Sequence, residues 1–272
     1  MTSFTGRLYN FFKPICNFQF IFGLYLTYHF MGLQSHVEET FGNEMPYDVS
    51  LSPTHTFPNI INVVNKTIGM SMFLIFMTFC SVSFMFGTSL VRHIPSQLMA
   101  AFMLLGWVSL LNRNPLISNP GIPYVGWLLL VYTFYKHKQI PKRVYWLSWF
   151  LMALGYTASG LHKLKCPSWL DGSAITHVLM TPLARDNFLR NFMLNLPEFI
   201  LKMITWSSLM LEIMFLPFGI FYHTRFWFWC AYILFHVGIV LVVSFTDLTL
   251  GVLMIHLFTF DHNWLTKKRK LH

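Results

Sequence analysis

The sequence predicts an all-α fold, a polytopic membrane helical bundle of about eight transmembrane helices with two long loops on the outer face. Composition is the first reason, because 55% of the 272 residues are hydrophobic and only 11% are charged. An ordinary soluble domain carries about 25% charged residues. The second reason is the repeated apolar runs, several of which approach the roughly 20 residues that a helix needs to cross the hydrocarbon core. A disordered chain, a coiled coil and an ordinary cytosolic enzyme are excluded.

The predicted spans follow one another with no internal repeat and no second domain, so residues 1–272 are expected to form a single transmembrane domain. Residues 1–17 lack the apolar block and cleavage site of a secretory signal and are expected to lie at the membrane interface. Residues 261–272 form a basic tail. The spans are 18–33, 67–91, 97–111, 124–135, 144–161, 199–222, 226–245 and 246–260.

The net charge of +9 is better explained by a membrane than by nucleic acid, because the charges lie between apolar runs. With the N-terminus inside, 12 of the 19 Lys and Arg residues fall on the cytoplasmic side, which is the positive-inside pattern. Both termini are therefore predicted to be cytoplasmic. The connections 34–66 and 163–197 then face outward, and long structured loops commonly carry function.

Lys163, at the end of the fifth span, is the first candidate catalytic residue. Ionisable groups at membrane depth are costly and usually face the bundle interior or a wet cavity. The small residues within 155–160 permit close helix approach and leave room for a cavity. Apolar surroundings disfavour a protonated amine, which can then act as a general base. The alternative is that the lysine snorkels to the lipid headgroups.

Glu212 and His236 lie midway through the sixth and seventh spans. Glu212 is interpreted either as neutral or paired with a basic group on another helix, or as a residue that contacts substrate. His236 is either a hydrogen-bond partner between helices or a catalyst. Ligation of a metal by His236 and His256 is weakly indicated, since no carboxylate pattern accompanies them, and no metal site is predicted.

Two short motifs supply the remaining binding candidates. Arg113, with Asn112 and Asn114 on either side, could bind an anion or a carbonyl, or could anchor the third span to headgroups. Trp169 and Asp171 could belong to a binding site, or could be an interfacial anchor followed by a turn.

The order of these motifs resembles the core of the horizontally transferred transmembrane (HTTM) family, which is related to the membrane part of vitamin K-dependent gamma-carboxylases. The strongest match is residues 156–164, YTASGLHKL, followed by residues 169–174, WLDGSA. Residues 112–115, residues 123–127 and the helix that contains residues 234–236 also look like that family. The resemblance extends over roughly residues 18 to 260.

The resemblance implies a reduced quinone, similar to vitamin K hydroquinone, as the cofactor. The lysine that matches Lys163 is the base that deprotonates the hydroquinone in the carboxylases, and Tyr156 belongs to the same motif. His236 lies near a position linked to carboxylation. His162 stands where the carboxylases have the first of two adjacent lysines. A flat lipophilic headgroup also suits an aromatic pocket that faces the bilayer.

The chain is expected to lack the large lumenal domain of the carboxylases. In length it is closer to short bacterial HTTM proteins, some of which are needed to mature a secreted peptide toxin. The expected function is a membrane enzyme that uses a lysine base on a quinol-like cofactor, modifies a small secreted peptide, or both. The alternative is a non-catalytic membrane protein for peptide maturation, export or immunity. The expected location is a bacterial inner membrane, and the expected partners are membrane lipids, a quinone or a small secreted peptide, without nucleic acid.

Overall fold

The computed structural model describes residues 17–42, 67–86, 95–244, 246–261 and 264. Within these residues the regular structure is helical, apart from one isolated antiparallel bridge between Ala184 and Val243. The predicted all-α class is therefore confirmed. The contacts divide the chain into two compact units, Met1–Pro141 and Lys142–His272. The assignment of the whole chain to a single transmembrane domain stays a prediction.

The first unit is a set of helices in which α1 packs on α3, α3 on α4 and α4 on α5. Its helices are α1 (Phe18–Ser35), α2 (Val37–Phe41), α3 (Thr67–Met85), α4 (Ser96–Arg113) and α5 (Ile122–Phe134). Short 3-10 turns at Pro115–Ile117 and His137–Gln139 follow α4 and α5. Gly23 permits the close contact of α1 with α3, because a Cβ atom there would lie 2.7 Å from the Cβ of Met85.

In the second unit one long helix, α10, packs against both α6 and α11, while α12 contacts α11 and α6. The helices of this unit are α6 (Lys142–Lys163), α7 (Pro167–Leu170), α8 (Ala174–Met180), α9 (Phe188–Leu194), α10 (Glu198–Gly219), α11 (Tyr222–Val242) and α12 (Thr246–Phe258). At Gly160 a Cβ atom would lie 2.9 Å from the backbone nitrogen of Ile213. The close helix approach expected from the small residues is present, and α10 fills the space in which a cavity was expected at this glycine.

Each of the eight predicted spans coincides with a helix, in the order α1, α3, α4, α5, α6, α10, α11 and α12. Among the described residues, only α10 and α11 are long and apolar enough to cross a membrane by length and composition. Helices α5 and α12 have 13 residues each, fewer than the roughly 20 that a span needs.

The predicted outward segment 163–197 contains α7, α8 and α9. Of the other predicted outward segment, only residues 34–42 lie within the described part of the chain. The predicted interfacial segment and the basic tail lie almost entirely outside it.

Large apolar side chains cover much of the protein surface, whereas several polar side chains are buried. Phe134, Phe199 and Leu234 are 70%, 68% and 71% exposed, while Glu212 and His236 are each 4% exposed. Monomeric soluble proteins rarely expose contiguous apolar patches beyond a few hundred Å². Apolar groups outside and ionisable groups inside are instead typical of helices that pack in lipid.

Candidate functional site

An ion pair between α6 and α10 brings together two of the predicted site residues. Lys163 Nζ donates a hydrogen bond to Glu212 Oε1 at 2.6 Å, and the side chains are 24% and 5% exposed. The helices can approach this closely because Gly160, one turn before Lys163, has no side chain to separate them. Pairing of Glu212 with a basic group on another helix, one of its two interpretations from sequence, is confirmed.

Trp169 is the second partner of Lys163. The chain reverses after α6, where Cys166 N donates to Lys163 O at 2.9 Å. The next short helix, α7, then places the indole so that Lys163 Nζ lies 4.3 Å from its ring centroid. The sequence predicted an amine in apolar surroundings, but the structure shows an amine held between a carboxylate and the face of an aromatic ring.

The second carboxylate oxygen of Glu212 is available for another ligand. Oε2 is buried and has no hydrogen-bond partner among the described residues. A buried acceptor without a partner costs about 1–3 kcal/mol. An incoming hydroxyl or amide group that donates to Oε2 would recover that cost, so this oxygen is the part of the pair that is ready to bind.

Thr157 fixes the backbone of α10 around Glu212. Pro217 lies inside α10 and has no N–H, so the carbonyl of Ile213, four residues earlier, loses its helical donor. The Thr157 hydroxyl lies 3.3 Å from that carbonyl oxygen and 3.2 Å from the carbonyl oxygen of Glu212. It also accepts from Leu216 N at 3.0 Å. The hydroxyl thereby links α6 to the weakened turn that carries Glu212.

A second polar cluster joins three helices of the same unit. The hydroxyl of Tyr156 on α6 forms hydrogen bonds with Nε2 of His236 on α11 and, at 2.7 Å, with Nε2 of His256 on α12. Tyr232 covers the cluster, since its ring centroid lies 4.1 Å from that of Tyr156. His236 is therefore a hydrogen-bond partner between helices, as one interpretation of the sequence held.

Tyr156 and Lys163 are seven residues apart on α6, which places them on the same side of the helix and about 10 Å apart along its axis. The ion pair and the cluster of Tyr156, His236 and His256 thus occupy successive positions along one interior face of the second unit.

His162 and Asp171 lie outside these two clusters. His162 is exposed at the end of α6. Asp171 lies in an exposed turn, where Gly172 adopts a φ of +85°. The hydroxyl and backbone N–H of Ser173 hold the pKa of Asp171 below its ordinary value, and the N–H donates to Oδ1 at 2.8 Å. These contacts fit the interpretation of this motif as a turn.

In the first unit, Arg113 binds carbonyl groups of its own chain. Its Nη2 atom donates to Phe41 O and Gly42 O, each at 3.1 Å, and Asn114 Nδ2 donates to Thr40 O at 2.7 Å. These carbonyls lie at the end of α2, where helical partners run out. Asn112, the residue before Arg113, is fully buried. Arg113 thus binds backbone carbonyls of its own chain, and its role in binding a substrate or cofactor stays a prediction.

Sequence reasoning left two residues out of the candidate site. His256, considered from sequence only as a weak metal ligand, lies in an apolar helix as His236 does. The rule that an ionisable residue within an apolar span is a site candidate could therefore have identified it as well. Thr157 carried no such signal, because its role depends on Pro217, sixty residues later, facing it from another helix.

An apolar cleft of about 400 Å³ lies beside α10 and α11. Leu211 and Phe235 are among its lining residues, and they directly precede Glu212 and His236 in the sequence. Its lining residues are Ile200, Met203, Ile204, Ser207, Ser208, Leu211 and Phe235.

Among the described residues, no three or more His, Cys, Asp and Glu side chains form a group that could hold a metal ion. Comparisons of the chain with known protein families, curated proteins and solved structures give no match. The resemblance carried by residues 156–174 thus remains a prediction from the sequence.

Proposed function

We propose that this chain is a multi-pass protein of a cell membrane, the inner membrane of a bacterium, with both termini cytoplasmic. The support is the coincidence of helices with the eight apolar runs and the exposed apolar surface around buried ionisable groups. A background with its own cysteines changed to serine tests the orientation. A membrane-impermeant maleimide should label Lys165→Cys but not Lys138→Cys in intact cells, and the reverse result contradicts the proposal.

The proposed activity is proton abstraction from a quinol-like cofactor, in support of modification of a small secreted peptide. The observation that carries it is the Lys163–Glu212 pair, with one buried carboxylate oxygen left for a ligand. A hydroxyl group on a flat lipophilic ring can donate to that oxygen, and the cleft lined by Leu211, the residue before Glu212, is apolar enough for such a ring. A bound quinol would supply the redox chemistry.

The role of the pair is to hold one movable proton. With that proton on Oε1 of Glu212, the Lys163 amine is neutral. The bound hydroxyl would pass its proton to Oε2 as its O–H bond breaks, while Oε1 returns its own proton to the Lys163 amine. The resulting Lys163 ammonium would then lie near the negative charge left on the ligand oxygen. Trp169 restricts the ammonium to this side of the site, because its ring face attracts a cation.

Lipid extraction from the purified full-length protein tests this function. Mass spectrometry should find a quinone with the wild type and with Lys165→Ala, an exposed control two residues away. The quinone should decrease in Glu212→Gln, and Lys163→Ala should lose quinol oxidation in isolated membranes. Unchanged binding and turnover in folded Lys163→Ala protein would contradict the proposal.

The alternative function is a non-catalytic membrane protein for peptide maturation, export or immunity. The observation that favours it is that Lys163 has both a carboxylate and an aromatic partner. A lysine whose only role is to join two helices would have such partners. Lys163→Arg separates the two functions, because arginine keeps the charge but cannot act as a base. Retained function in this variant supports the alternative, and lost function in folded protein supports the enzyme.

A further inference from the structure

The Tyr156 hydroxyl imposes an asymmetry on the two histidines that it joins. A hydroxyl has one hydrogen and two lone pairs, so it can donate to one imidazole Nε2 while it accepts from the other. With both rings neutral, one histidine carries its hydrogen on Nε2 and the other carries it on Nδ1. With the hydroxyl hydrogen on either of these two bonds, the contacts of Tyr156 with His236 and His256 give the two rings opposite tautomers.

The remaining ring nitrogens are the two ends of this chain of hydrogen bonds. Nδ1 of His236 and Nδ1 of His256 are buried and have no partner among the described residues. By the tautomer argument, one end offers an N–H and the other offers a lone pair. A metal does not explain this arrangement, because a histidine that binds a metal almost always donates its other N–H to a carboxylate, carbonyl or water.

We propose that Tyr156, His236 and His256 form a proton relay through α6, α11 and α12, with an O–H group, such as that of water, as donor at one end and acceptor at the other. A proton enters at the Nδ1 atom that bears a lone pair, and the same ring releases its Nε2 hydrogen to the tyrosine oxygen. The tyrosine hydrogen passes to the other Nε2, and that ring releases its Nδ1 hydrogen. No net charge stays in the relay, and the tautomers are exchanged. This relay does not depend on the proposed role of Lys163.

Nitrogen-15 NMR of the full-length protein, labelled at histidine and held in lipid bilayers, tests the relay. His236→Gln and His256→Gln identify the two resonances among the 12 histidines. The wild type should show one ring with hydrogen on Nε2 and the other with hydrogen on Nδ1. In exchange spectroscopy, the two rings should interchange their tautomers at the same rate, because each proton transfer converts both rings together.

Tyr156→Phe should abolish this match, so that the two exchange rates differ. Tyr145→Phe is the matched control, because Tyr145 is another tyrosine of α6 and its ring stacks on Phe258 of α12 at 4.6 Å. It should keep both the opposite tautomers and the equal rates. Identical tautomers in the wild type, or unequal rates there, would overturn the relay even if Tyr156→Phe fails to fold. Equal rates that persist in folded Tyr156→Phe would also overturn it.

Discussion

Lys163 Nζ lies 2.6 Å from Glu212 Oε1, although the two residues are 49 positions apart in the sequence. The contact ties the end of α6 to the middle of α10. Because the carboxylate is almost completely buried, neither charge can lose its partner without leaving the other in poor surroundings.

A double-mutant cycle on this pair should show strong coupling. Glu212→Leu and Lys163→Met should each lower the free energy of unfolding by about 1–3 kcal/mol, because each leaves one charged group without its partner. Lys163→Met combined with Glu212→Leu should recover much of the loss. Circular dichroism, recorded while each of the four proteins unfolds in a mild detergent, measures these free energies of unfolding.

The control for this cycle is the exposed pair of Lys202 and Glu198 on α10, with N and O atoms 2.7 Å apart. Lys202→Ala should lower the free energy of unfolding much less than either substitution in the buried pair, because exposed ion pairs contribute little. Equal losses in the two pairs, or additive effects of Lys163→Met and Glu212→Leu, would show that burial does not strengthen the Lys163–Glu212 pair.

The helices could be predicted because apolar run length is a local property. All eight runs coincide with helices, and the ionisable residues within them include Glu212 and His236, both of which are buried. Burial of an ionisable group inside an apolar run is itself a prediction that needs no tertiary information.

The partners of those residues could not be predicted in the same way. Which basic group meets Glu212 depends on the rotation and register of α6 against α10, and Gly160 sets that register only together with Ile213. The bridge from Tyr156 to His256 spans 100 positions. Pairings over such distances are determined by packing, which periodicity within one segment does not encode.

Gly160 should tolerate no larger residue. In Gly160→Ala the new methyl group would lie 2.9 Å from Ile213 N and 3.0 Å from Glu212 Cβ. Since backbone cannot move aside cheaply, the variant should lose about 1–3 kcal/mol of stability. Gly238→Ala is the control in α11, because nothing lies within 4 Å of its new methyl group, and alanine favours a helix by up to about 1 kcal/mol. A stable Gly160→Ala protein would mean that α6 and α10 lie farther apart.

Asp171 should make the stability of the folded protein depend on pH. The hydroxyl and N–H of Ser173 favour its carboxylate and lower its pKa in the folded protein. Its contribution is therefore present above the unfolded value of about 3.9 and is lost as the pH falls through the folded value. The difference in melting temperature between wild type and Asp171→Asn should shrink as the pH is lowered from about 6 to about 3. Ser173→Ala should weaken this dependence, and a difference that stays constant with pH would contradict it.

Thr157 should be essential to the turn of α10 that contains Glu212. Thr157→Val removes the hydroxyl that donates to the Ile213 carbonyl, which Pro217 leaves without a helical donor, and that accepts from Leu216 N. The variant should lose about 1–3 kcal/mol, the cost of leaving buried backbone groups without partners. Thr157→Ser keeps the hydroxyl and should lose much less. Thermal unfolding of both variants measures this difference, and hydrogen exchange at the Leu216 amide should accelerate only in Thr157→Val. Equal stability of the valine and serine variants would mean that the hydroxyl does not support this turn.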